Sequence, residues 1–266
     1  MTEAAKHSHR ELELLDALHR LGGSARSREL ARALDVSEET IRRTIKSLSK
    51  AGVLERIYGG AHLTGPRDAP GFLRRIARHP ASKRAIAACV AAHVRDGMTV
   101  FFDVGSTTAF TAERLRERRH LTVVTNSIGV AQVLSNHNGN HLHLLGGEMQ
   151  ADERGTFGFV TEQQSRRYAC DLAILSTDAL SSAHGFLNTS ATEATLASVV
   201  SESAARVLVA LDHHKFDQTA PHRGLNPERV DLVVTDQCPP PHLADALEAW
   251  SIDLEIAPEA DDAATA

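Results

Sequence analysis

Two groups of residues in this 266-residue chain are spaced for chemistry. The first is a run of cations, Arg42, Arg43, Lys46 and Lys50, within SEETIRRTIKSLSKAG. Wound as a helix with Arg42 at zero, Lys46 falls at about 40°, Lys50 at about 80° and Arg43 at about 100°. Ile45, Ile41 and Leu48 fall at about −60°, −100° and −120°, a separate apolar stripe. Such a helix buries one side and offers the other to a polyanion. A guanidinium carries two parallel donors, which match a phosphate or the O6 and N7 of guanine.

The second group follows a series of apolar runs. Asp103 and Gly105-Ser106-Thr107-Thr108 end TVFFDVGSTT, and Thr125-Asn126-Ser127 follow LTVV. Gly146-Gly147 follow LHLL, Ser176-Thr177-Asp178 follow LAIL, Asp212 and Lys215 follow VLVAL, and Thr235-Asp236 follow DLVV. Gly-Ser-Thr-Thr opening a helix offers backbone N–H groups and hydroxyls to an anion. Asp103, Asn126 and Asp178 suit sugar hydroxyls, and Lys215 suits a phosphate. Together they fit a small phosphorylated polyol. Neither a Walker-type G-x-x-x-x-G-K-[ST] nor a G-x-G-x-x-G is present, so a nucleotide site is not expected.

These residues need elements to hold them. Leu14, Ala17, Leu18 and Leu21 follow helical spacing up to Gly22-Gly23, and Ser27 can cap a short helix, RELARAL, ending near Asp35. Ser37 caps the cationic helix, whose first turn holds Glu38 and Glu39 in the favourable field of the helix dipole, and Gly52 stands at its C-terminal cap. A short helix, a tight turn over Asp35-Val36-Ser37 and a cationic helix make a helix-turn-helix, whose second helix enters the major groove. VLERIYGGAHL then reads as a hairpin turning at Gly59-Gly60, a wing that brings Arg56 and Tyr58 to phosphates. The candidate DNA-binding set is Ser37, Thr40, Arg42, Arg43, Lys46, Lys50, Arg56, Tyr58, Gly59 and Gly60.

Beyond TGPRDAPGF, buried strands are expected at 99–103, 121–125, 141–145, 171–176, 206–212, 231–235 and 252–256. Helical patterns lie between most of them, at 107–118, 128–135 and 192–204. Alternation of this kind makes a parallel sheet covered on both faces, with every strand's C-terminal end at one edge, where ligands bind. The expected architecture is α/β: a winged helix-turn-helix at 1–64, a linker at 65–80, a Rossmann-like, mostly parallel sensor domain at 81–257 and an acidic tail at 258–266. The candidate effector set is Asp103, Gly105, Ser106, Thr107, Thr108, Thr125, Asn126, Ser127, Gly146, Gly147, Asp178 and Lys215.

Charge separates the same two parts. Residues 1–65 carry 11 Lys/Arg against 9 Asp/Glu, a net of +2, and the remainder carries 18 against 25, a net of −7. A basic head on an acidic body points to nucleic acid for the head alone. Only 4% of residues are aromatic, which argues against base-stacking recognition of single strands. AIAACVAAHV is half the length of a membrane span, and no signal segment is read at the N-terminus, so a cytoplasmic protein is expected. Cys89, Cys170 and Cys238 form neither a disulfide framework nor a zinc pattern. His141 and His143 share a strand face but lack a third ligand, so neither a metal nor a cofactor is expected.

In this order VSEETIRR, the wing GG, Phe72-x-x-Arg75, Lys83-x-x-Ile86-Ala87, DVGSTT, TNS, LLGG, DHHKF and TD resemble the DeoR-type bacterial transcriptional regulators over nearly the whole chain. The resemblance implies a winged helix-turn-helix joined to a sensor domain related to ribose-5-phosphate isomerase. It also implies repression of sugar-catabolic operons and release of DNA on binding a phosphorylated sugar. The chain departs from the family pattern at Thr44, where aspartate is usual, at Tyr58 of the wing, where histidine is usual, and near Thr177, where glycine is usual. The expected function is a repressor of a sugar or polyol operon, working as a dimer or tetramer on double-stranded operator DNA. The alternative is a sugar-phosphate isomerase carrying a DNA-binding module, with Asp103, Asp178 or Glu193 as its base.

Overall fold

The computed structural model describes residues 9–21, 24–50, 54–63, 71–135 and 138–258. The chain divides into two compact units, Met1–Pro80 and Ala81–Ala266. The expected stop at Gly22-Gly23, the cap at Gly52 and the tail from 259 onward lie outside the described residues, as does 64–70 of the expected linker. Residues Gly71–Ala77 of that linker form a helix with Phe72 and Ile76 buried.

The first unit contains α1 (His9–Arg20), β1 (Ser24–Arg26), α2 (Ser27–Leu34), α3 (Glu38–Lys50), β2 (Leu54–Ile57), β3 (Gly60–Leu63) and α4 (Gly71–Ala77). Its core joins Leu14, Ala17 and Leu18 of α1, Leu30 and Ala31 of α2, and Ile41, Ile45 and Leu48 of α3 to Ala25, Leu54 and Ala61 of the small sheet. The apolar stripe anticipated for the cationic helix is therefore the side that packs. Ser27 does not cap α2 but is its first residue. The capping position belongs to Arg26, whose N–H donates to the Glu29 carboxylate at 2.9 Å. Asp35 ends α2 in the left-handed region, at φ 51°.

β1 was not anticipated, and it changes the wing. It pairs antiparallel with β3, Ala25 opposite Ala61 and Arg26 opposite Gly60, to give a three-stranded sheet of order β1-β3-β2. Ile57 pairs with Gly60, so the two-residue loop is Tyr58-Gly59, one residue earlier than expected. Gly59 alone takes the positive φ, 77°, and Gly60 is a strand residue. A Cβ at Gly60 would lie 2.1 Å from the Ala25 carbonyl oxygen, so the close approach of β1 excludes any side chain there.

The second unit begins with α5 (Pro80–Ala92), β4 (Thr99–Phe102), α6 (Ser106–Arg114), β5 (Thr122–Thr125), α7 (Ile128–Leu134) and β6 (His141–Leu144). It continues through the hairpin β7 (Glu148–Gln150) and β8 (Gly155–Phe157), then α8 (Phe159–Ser165) and β9 (Leu172–Leu175). β10 (Ala179–Ser181), β11 (Gly185–Asn188), α9 (Ala191–Ser203), β12 (Val207–Ala210) and β13 (His222–Arg223) follow. The last elements are β14 (Leu232–Thr235), α10 (Pro241–Ala249), closed by the chain's one tryptophan, Trp250, and β15 (Asp253–Ile256).

All seven anticipated strands enter one parallel sheet of order β15-β14-β12-β9-β4-β5-β6. Every residue of β9, β12 and β14 is buried, as two covered faces require. Val100, Phe102, Val123, Ile174, Leu208 and Val234 lie in one core cluster with Ile86 and Val90 of α5 and Val130 and Val133 of α7. The sheet grows outward from β4 to β5 and β6, then resumes at β9 on the other side of β4. This reversal puts the ends of β4 and β9 side by side at the sheet's switch point, where open parallel sheets bind their ligands.

Candidate functional site

The DNA-reading candidates lie on α3 and the wing. Ser37 caps the helix, its Oγ accepting from the Thr40 N–H at 3.2 Å and sharing a 2.9 Å hydrogen bond with the Thr40 hydroxyl. Arg42, Arg43, Lys46 and Lys50 are all exposed, opposite the buried Ile41, Ile45 and Leu48. Arg42 donates to the Glu38 carboxylate at 3.1 Å, one turn back. Ser47, beside the cationic arc, donates to Glu11 at 2.5 Å and so ties α3 to α1. Thr44, the departure from the family pattern, donates its hydroxyl to the Thr40 carbonyl at 2.9 Å, so it faces its own helix. Arg56 is exposed on the wing and Tyr58 stands fully out at its tip.

The effector candidates gather at the C-terminal edge of the parallel sheet. Asp103, just past β4, accepts from the backbone N–H of Ser176, just past β9, at 2.8 Å. Its other oxygen, Oδ1, has no hydrogen-bond partner. Desolvation pushes the Asp103 carboxyl from 3.8 up to about 7, against the hydrogen bonds from Ser176 and the positive charge of Lys215. Lys215 follows β12 and donates to the Thr177 carbonyl past β9, so it reaches across to the neighbouring strand's loop. Asp212 is buried and caps the short turn that carries Lys215.

At the start of α6, Ser106, Thr107 and Thr108 are buried behind Gly105. Thr108 donates to the Asp103 and Gly105 carbonyls, whereas the Thr107 hydroxyl has no partner. A Cβ at Gly105 would lie 2.4 Å from the Ser176 hydroxyl, so glycine lets the β4 and β9 loops meet. Past β5, the Thr125 hydroxyl donates to the Phe102 carbonyl at 2.7 Å and the Ser127 hydroxyl caps α7. Both support the framework. Asn126 between them is fully buried; its Nδ2 donates to the Thr156 carbonyl of β8, and its Oδ1 is left without a partner.

The remaining candidates hold the rim. Gly146 donates its N–H to Gln164 at 2.7 Å, and its carbonyl accepts from Thr161 of α8. Gly147 has φ 145°, and a Cβ there would lie 2.1 Å from the Thr161 hydroxyl, so both glycines serve the packing of α8. Asp178 accepts from the Thr189 N–H and hydroxyl, each at 2.8 Å, which fixes the β10–β11 hairpin.

The sequence reading places Ser176 at a strand end but leaves it out of the effector set, and it does not include two contributors, Gln150 and Thr192, in the site. Gln150 of β7 donates to the Thr192 hydroxyl at the start of α9 at 3.1 Å, so the β7–β8 hairpin is tied both to α9 and, through Thr156, to Asn126. The helical pattern read at 192–204 marks that helix, whose cap is Ser190, but not the contact of Thr192 with Gln150.

No group of His, Cys, Asp or Glu among the described residues is arranged to hold a metal ion. The three cysteines are free, and burial pushes the Cys89 and Cys170 thiols up to about 12 and about 11. Among the described residues no helix is long and apolar enough to cross a membrane.

Comparison with known proteins resolves what carries this pair of sites. The DeoR C-terminal sensor domain matches residues 78–237 and the DeoR-like helix-turn-helix domain matches residues 10–66. The chain belongs to the DeoR family. It is 30% identical over 233 residues to the HTH-type transcriptional repressor CsqR of Escherichia coli, covering 88% of this chain and 89% of that protein. It is 32% identical to the transcriptional repressor AccR of Agrobacterium fabrum, covering 78% and 81% respectively. It is 29% identical to the glycerol-3-phosphate regulon repressor of Escherichia coli, covering 88% and 93%. Among solved structures, a D-ribose-5-phosphate isomerase in complex with phospho-erythronic acid matches at a TM-score of 0.38 and 18% identity, covering 50% of this chain and 52% of that one. The DeoR family consists of DNA-binding transcriptional regulators rather than enzymes, so the isomerase alternative is set aside.

Proposed function

We propose that this DeoR-family regulator represses a sugar or polyol catabolic operon from the cytoplasm and leaves its operator when a phosphorylated sugar binds beside Asp103 at the sheet's C-terminal edge. The observation that carries the reading is the set of unmatched acceptors at the sheet's switch point. Asp103 Oδ1 and Asn126 Oδ1 lack donors, and Lys215 and the N-terminus of α6 lie at the same edge. Buried acceptors without donors are costly, and the hydroxyls of a polyol supply donors. A phosphate suits the ammonium of Lys215 and the backbone N–H groups that open α6.

In this reading Arg42, Arg43, Lys46 and Lys50 meet the duplex, with Ser37 and Thr40 fixing the start of the helix. Arg56 and Tyr58 of the wing touch phosphates. Ser106, Thr107, Thr108 and Asn126 line the effector site, while Gly105, Thr125, Ser127, Gly146, Gly147 and Asp178 shape it. The working form is a homo-oligomer, a dimer or tetramer, because paired heads read paired half-sites. Induction requires the effector to bind the DNA-incompetent arrangement more tightly than the competent one.

The test is an anisotropy titration of labelled DNA from upstream of the chain's own gene, repeated with a panel of sugar phosphates. Tight, salt-sensitive binding relieved by one phosphorylated compound, but not by its unphosphorylated form, supports the reading. Binding no tighter than to random duplex at the same salt, across all neighbouring promoters, removes it.

A further inference from the structure

The charged arc of α3 is not purely cationic. Glu39 lies at about 60° on the wheel that places Arg42 at zero, between Lys46 at about 40° and Lys50 at about 80°. Its side chain is 81% exposed, and its nearest approach to Arg42 is a loose 3.9 Å. Glu38 behaves differently. It falls at about −40°, off the arc, and its carboxylate is engaged by Arg42 at 3.1 Å. Both carboxylates suit the first turn of a helix, but only Glu39 stands among the side chains that would face a duplex.

A carboxylate held against DNA is repelled by phosphates and costs affinity unless its oxygens meet donors. The donors on the floor of the major groove are the N4 amino group of cytosine and the N6 amino group of adenine. Adenine sets an N7 acceptor beside its amino group, which opposes a second carboxylate oxygen, whereas cytosine presents the amino group alone. Recognition helices reach base edges with their N-terminal residues, and Glu39 is the second residue of α3. Arg43 follows one turn later on the same arc, about 6 Å further along the axis, close to the next base steps.

We propose that Glu39 is a specificity-determining residue that accepts a hydrogen bond from the N4 amino group of a cytosine in each operator half-site. This rests on α3 being the recognition helix. The test is enrichment from a random duplex library by the full-length protein, comparing wild type with Glu39→Gln and Glu39→Ala, together with the helix content of each variant. The expected result is a cytosine preference at one half-site position that Glu39→Ala lowers by about 5- to 100-fold, the equivalent of one lost base contact. Glu39→Gln should move the preference at that position towards adenine, whose N6 and N7 match an amide. Unchanged preferences at every position, with all sequences bound more tightly by both variants, would overturn the assignment and reduce Glu39 to a dipole partner. No enriched sequence for any of the three proteins would overturn the recognition-helix reading itself, and this proposal with it.

Discussion

Arg43 and Lys50 share one exposed arc but belong to different kinds of contact. Arg43 has no ion-pair partner among the described residues and lies in the first half of α3, whereas Lys50 is its last residue. Arg43→Ala is expected to cost about 1–3 kcal/mol of discrimination between operator and mismatched duplex. Lys50→Ala should weaken all sequences alike and lower the salt slope by about one, measured by titration at several ionic strengths. Asp103 supplies a pH test. The unfolded chain releases its proton near pH 4, at about the ordinary aspartate value, and the folded chain holds it to about 7. Between those values the folded state binds the extra proton, so this group's contribution to stability falls as pH rises and is constant above about 7. The residue keeps some contact with solvent, so about 2 kcal/mol is expected, roughly half of a fully dry site. Urea midpoints at pH 5 and pH 8 should show Asp103→Asn gaining on wild type with rising pH. A constant difference would mean that Asp103 titrates as an ordinary carboxylate.

Among the elements, the wing's two glycines make a matched pair. Gly60→Ala drives a Cβ into the Ala25 carbonyl, with no flexible side chain to give way, so β1 must separate from β3. A loss of about 1–3 kcal/mol in the first unit is expected, with operator binding impaired. Gly59→Ala meets nothing within 4 Å and bears only the cost of its positive φ, 77°, about 1 kcal/mol. Equal effects of the two on thermal midpoint would mean that β1 gives way without cost.

The same elements show what was legible beforehand. Runs such as LAIL and VLVAL are apolar throughout because both faces of their strands are covered, so all seven sheet strands could be read. Their shared edge followed, and with it Asp103, Asn126 and Lys215. β1 spans three residues, and Ser24-Ala25-Arg26 has too little pattern to mark a strand. The β7–β8 and β10–β11 hairpins are nearly as short, which is why Gln150 and the tie to Thr192 went unseen. Thr125 and Ser127 were legible as polar residues, but their commitment to Phe102 and α7 depends on tertiary packing that spacing does not encode.

For the whole molecule, the described residues of head and sensor pack into two different core clusters. Ser106→Ala and Lys215→Ala both fall in the second unit and leave the residues of α3 unchanged, and each should bind operator as wild type does. Their half-maximal effector concentration should rise at least about tenfold, a loss of about 1.4 kcal/mol. A variant induced at the wild-type concentration would exclude that side chain from the effector site. The placement of Trp250 has a practical consequence for counting cooperative units. The chain's one indole closes α10 in the second unit, while Tyr58 stands at the wing tip of the first. Intrinsic tryptophan emission therefore follows the melting of the sensor core, while far-ultraviolet circular dichroism follows helices in both units. Coincident curves would mark head and sensor as one cooperative block, and separated curves would give each unit its own transition temperature from a single sample.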